Sequence, residues 1–156
     1  MKRNIFVVAL EEQQREELET LRHSEKFKVH SLLSVKTAVE SPSFSFDNLL
    51  NEARSKLQAF DGTVDAIIAQ WDFPTSLLVP ILCKEYDIPS PSVESVLKCE
   101  HKYWSRLEQK KVIPEVVPEF CGVDPFADDP LSQVTLDYPF WIKPIKAFSS
   151  HLGFKI

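Results

Sequence analysis

The side chains able to do chemistry in this chain are scattered, and the missing residue types are as informative as those present. Lys102 and Lys143 are cations roughly 40 residues apart, Ser149, Ser150 and His151 adjoin one another, and Asp72 follows an apolar run. The 3 glycines, Gly62, Gly122 and Gly153, stand alone. Both G-x-x-x-x-G-K-S/T and G-x-G-x-x-G need several glycines close together to bring backbone amides onto a phosphate, so a nucleotide site here must be built another way. Cys83, Cys99 and Cys121 are odd in number and lack a C-x-x-C spacing, which indicates neither a disulfide framework nor a zinc site and suits a cytoplasmic protein. A histidine in a Ser-Ser-His turn can bind phosphate or be an ordinary loop residue. An aspartate such as Asp72 can meet a substrate or simply cap a turn.

Charge narrows the partners. With 18 Lys and Arg against 23 Asp and Glu the net charge is -5, which gives no pull toward nucleic acid or an anionic membrane. Between Val112 and Ile142 there is no Lys or Arg, while Glu115, Glu119, Asp124, Asp128, Asp129 and Asp137 are all acidic. Such a run reads as a solvated loop, with a cation site as the sharper alternative. The apolar run Ile5 to Leu10 is followed at once by Glu11 and Glu12, too short for a signal segment or a membrane span.

The elements that must position these groups follow from hydrophobic spacing. Ile5 to Leu10 is continuously apolar, as expected of a strand buried on both faces of a parallel sheet. The segment from Glu11 to Leu21 crowds acids into a first helical turn, with a thin stripe of Leu10, Leu18 and Leu21. Phe27 to Leu33 reads as a second strand. Phe46, Leu49, Leu50, Ala53, Leu57 and Phe60 form the strongest helical stripe, with Ser45 to cap its start and Gly62 to close its end. Val64 to Ala69 is a third strand, and a helix follows from Ser76 to Tyr86. This alternation predicts an α/β fold, a parallel sheet with helices on both faces and a crevice beyond the carboxyl ends of the strands, where Trp71 and Asp72 would sit. Further helices are expected through Val93 to Leu97 and Tyr103 to Leu107, stopped by Val112-Ile113-Pro114. Pro139 to Ile145 reads as a strand, and Phe154 to Ile156 as a returning one.

Several of these pieces resemble the front end of the ATP-grasp superfamily. They are Val64-Asp65-Ala66-Ile67-Ile68, Tyr86-Asp87-Ile88-Pro89-Ser90-Pro91-Ser92, a helix with Lys102, Val112-Ile113-Pro114 to Pro118, and Phe140-Trp141-Ile142-Lys143-Pro144 before a turn over residues 146–153. The resemblance implies a Rossmann-like pre-ATP-grasp domain over residues 1–95. The beginning of an α+β ATP-grasp nucleotide-binding domain would follow over residues 96–156. It implies ATP and Mg2+ as cofactors and, as substrates, a small-molecule carboxylate activated to an acyl phosphate and an amine that attacks it, as in carboxylate-amine ligases, biotin carboxylase or carbamoyl-phosphate synthase. Lys102, Lys143, Ser149 and Ser150 would then contact phosphate, and Asp72 the second substrate. The family usually has Asp before its first lysine where this chain has His101, which keeps Lys98 open beside Lys102. Serines stand at 149 and 150 where the family's turn is glycine-rich. Its adenine-contacting strand, magnesium ligands and catalytic basic residues lie beyond a position like Ile156, so the expectation is an N-terminal portion that is inactive by itself.

Plainer readings accompany each residue. Lys143 can be a solvent-facing strand lysine, Trp71, Trp104 and Trp141 core or crevice wall, and Cys83 a buried small hydrophobe. The alternative function is a non-catalytic flavodoxin-like binding or interaction module, or a stand-alone pseudo-enzyme piece that docks on another chain. A homodimer stays open.

Overall fold

Three apolar segments form one parallel sheet. β1 (Arg3–Val8), β2 (Phe27–Leu33) and β3 (Ala66–Ala69) lie in the order β2-β1-β3, with both pairings parallel. The computed structural model describes residues 1–41, 43–147 and 151–156. It divides into two units, Met1–Val96 and Leu97–Ile156. Among the described residues no helix is long and apolar enough to cross a membrane.

In the first unit Phe6, Val7 and Val8 are all buried. Successive strand residues point to opposite faces, so the central strand is covered on both. The flanking helices are α1 (Glu12–Thr20), α2 (Val35–Ala38), α3 (Phe46–Gln58) and α4 (Thr75–Glu85). α3 forms where the apolar stripe predicts it: the Ser45 hydroxyl accepts from the Asn48 amide at 3.3 Å, and Leu49, Leu50, Ala53 and Leu57 are buried. α4 adds Leu78, Leu82 and Cys83 to the same core. Cys83 is the buried small hydrophobe expected, its thiol 3.7 Å from the Ile67 carbonyl, and burial pushes its pKa up.

Three expectations shift. β1 begins at Arg3 because Asn4 is a junction: its amide donates to Asp65 Oδ2 at 2.7 Å, and its side-chain nitrogen donates to the Thr63 carbonyl at 3.0 Å. The backbone and Thr63 donors hold the Asp65 carboxyl below the usual range. The strand ends at Val8 because Ala9 turns left-handed, with φ 57°. Gly62 does not provide a left-handed cap, since no described glycine has positive φ. A side chain there would instead meet the Phe60 ring at 2.8 Å, so close approach is the reason for glycine. α1 buries none of its residues; of the stripe Leu10, Leu18 and Leu21 only Leu10, which precedes the helix, is buried.

α5 (Val93–Glu100) contains the boundary between the units, and Ser92 caps it by accepting from the Ser95 amide at 3.1 Å. In the second unit α6 (Lys102–Val112) ends before Pro114. A 3-10 turn follows at Pro114–Val116, and Val117 after it is extended. The strand expected from Pro139 to Ile145 shortens to β4 (Trp141–Ile142), paired antiparallel with β5 (Phe154–Lys155). The pair is extended by mutual backbone bonds of Phe140 and Ile156 at 3.2 and 2.9 Å. Lys143 therefore stands just past the strand, beside Pro144, which has no amide hydrogen to continue the ladder.

Candidate functional site

The carboxyl edge of the sheet is built around the segment after β3. The Trp71 indole donates to the Ala9 carbonyl at 3.1 Å, tying the end of β3 to the left-handed residue after β1. Thr75, fully buried, places its hydroxyl 2.7 Å from the Trp71 carbonyl and 2.9 Å from that of Asp72. Its amide also donates to the Asp72 carbonyl at 3.0 Å. Asp72 is exposed, and its backbone carbonyl accepts at the start of α4. Trp71 is partly buried and packed against the core.

The second unit gathers the cationic residues. His101 caps α6: its Nδ1 accepts from the Trp104 amide at 3.1 Å, so a ring nitrogen fills the place where an aspartate oxygen would serve. The next residue, Lys102, donates from its amide to the Ile145 carbonyl at 3.2 Å and from Nζ to the Ala147 carbonyl at 2.6 Å. The half-buried ammonium is thus aimed by the backbone that follows β4, with N–H donors to spare for a ligand. Lys143 is exposed, its Nζ 5.6 Å from the centre of the Trp141 ring. Trp141 is 61% exposed and so is not core.

Lys102 and Lys143 meet at a cavity of about 60 Å3, lined also by Pro144, Ala147, His151 and Gly153. Pockets that engulf a drug-sized ligand run to about 300 Å3 and more, so this one suits a single small anionic group. Lys102, Lys143 and His151 are its polar lining residues, and no Asp or Glu lines it among the described residues. Lys98 is engaged elsewhere, 3.8 Å from Glu108 and over the Trp104 ring at 5.6 Å. Hydrogen bonding from Lys111 holds the Glu108 carboxyl below its usual range, with Lys98 adding to the effect. The cavity therefore takes Lys102 of the two candidates. Ser149 and Ser150 lie outside the described residues. Among the described residues no group of three or more His, Cys, Asp or Glu is placed to hold a metal ion.

Sequence reasoning missed the His101 cap and the Ala147 carbonyl. Histidine is not among the preferred capping residues, and a main-chain acceptor carries no side-chain signature. No family model and no curated protein sequence matches the chain.

Proposed function

We propose that the chain carries the phosphate-binding opening of an ATP-grasp ligase, which activates a carboxylate as an acyl phosphate for attack by an amine. On this reading residues 1–95 are the Rossmann-like pre-ATP-grasp domain, residues 96–156 begin the nucleotide-binding domain, and Asp72 faces the second substrate. The observation that carries it is the convergence of Lys102 and Lys143, 41 positions apart, on one small cavity. The resemblance pairs these lysines by the order of its motifs, and a cavity lined by both supports that pairing.

ATP, arriving with Mg2+, supplies the phosphoryl group that makes the carboxylate reactive. Lys102 binds and orients phosphate oxygens, with Nζ already positioned by the Ala147 carbonyl so that little reorganisation is needed. Lys143 adds a second point charge from the solvent side. Both act in a partly wetted site, where screening limits each to a modest contribution. Two such contacts support a dissociation constant near millimolar, about 4 kcal/mol of binding.

Calorimetric titration of the 156-residue chain with MgATP and with tripolyphosphate tests the reading. Millimolar binding is expected, weakened about five-fold or more by Lys102→Ala or Lys143→Ala and unchanged by Lys155→Ala. Equal losses at Lys143 and Lys155 would make Lys143 a surface lysine and remove the main support for the reading.

A further inference from the structure

We infer that His151 is a third ligand of the same phosphate group, donating a ring N–H to it in the cavity. The inference rests on the phosphate reading of the Lys102 and Lys143 cavity.

Two features of the turn carry it. His151 and Gly153 both line the cavity, while Leu152 between them is 67% exposed. Leu152 also adopts φ 54°, a left-handed conformation that a bulky residue avoids. A leucine that is both left-handed and solvent-facing gains nothing from its own position. The backbone there is bent so that its neighbours meet the cavity, and observed strain of this kind points to a site. Of the two lining residues of the turn, only His151 has a polar side chain.

The chemistry is matched. A phosphate oxygen accepts hydrogen bonds and donates few, so a pocket for it should offer donors. Lysine ammonium groups offer only donors, and an imidazole always has at least one N–H. The other lining residues, Pro144, Ala147 and Gly153, bring no competing acid. The loop-histidine reading, which the sequence favours, accounts for neither the left-handed Leu152 nor the shared cavity.

The test uses the full chain, tripolyphosphate as probe, and two readouts: affinity by calorimetry, and the imidazole nitrogen signals of His151 by 15N NMR. His151→Ala should weaken binding about five-fold, His151→Asn should recover part of the loss through its amide donor, and the His151 signal should move with the dissociation constant measured by calorimetry. Lys143→Ala losing affinity while His151→Ala binds as wild type, or His151→Ala losing affinity while the wild-type imidazole signal stays still, would overturn the inference and leave the phosphate site standing. No binding of tripolyphosphate by the wild-type chain would overturn both.

Discussion

In Met1–Val96 the apolar side chains of β1, α3 and α4 are buried around one core, from Phe6 to Cys83. In Leu97–Ile156 none of the described side chains reaches that burial, and Leu107, Trp141 and Phe154 are 40%, 61% and 53% exposed. Residues of the first unit are therefore held in place by desolvation and packing, which act over the whole core. Those of the second are held by individual polar contacts: the His101 cap, the Lys102 bonds to Ile145 and Ala147, and the Phe140 and Ile156 pair. The contrast teaches where function can be altered without loss of the fold. An exposed side chain lining the cavity of the second unit, such as Lys143, can be removed cheaply, because little else leans on it.

The largest effect expected from this contrast is at Leu78, which is fully buried in α4 against the sheet. Leu78→Ala should destabilise by about 3 kcal/mol in urea unfolding. Lys143→Ala should stay within about 0.5 kcal/mol of wild type. Comparable losses at the two positions would break the comparison.

A smaller effect belongs to the His101 cap. His101→Ala should cost about 1 kcal/mol locally, read as faster hydrogen exchange at the Trp104 amide, and His101→Asp should restore protection. Equal exchange in all three proteins would mean that the ring contact does not hold the helix start.

The smallest is a pH effect in the first unit. His30 stacks on Phe6 at 4.8 Å, meets the edge of Phe60, and has Nε2 3.0 Å from Asn4 Oδ1. The Asn4 nitrogen donates to Thr63, so its oxygen accepts and His30 Nε2 carries a proton. Burial, with Lys28 and Arg15 nearby, lowers the His30 pKa below 6.5. The unfolded chain therefore binds the proton first as the pH falls. Stability should be highest above the unfolded value and decline through about pH 6.5 toward the folded value, where the loss is complete. Urea unfolding between pH 8 and 5 should show a shallower decline for His30→Gln than for wild type.

Much of the first unit was legible because burial writes itself into periodicity. Phe27–Leu33 stands out as a continuous strand, and the stripe from Phe46 with Ser45 before it marks α3. The ends were less legible. Ala9 has no sequence mark for its left-handed turn, and Asn4 joins β1 through side-chain bonds that apolar runs do not report. The second unit offered less, since its exposed apolar residues carry the composition of a core without the burial, and the Pro139 to Ile145 run overstated β4. Lys102 and Lys143 were legible only by resemblance and order. What aims Lys102, the Ala147 carbonyl and a histidine cap, follows from backbone geometry that residue types do not disclose.

The central claim, that Lys102 and Lys143 read one phosphate group, is tested most directly by following the Cε signals of the lysines by NMR while tripolyphosphate is added to the wild-type chain. The signals of Lys102 and Lys143 should move together with one dissociation constant, while those of Lys98 and Lys155 stay in place. A uniform shift of all the lysines, or movement of only one of the pair, would contradict it.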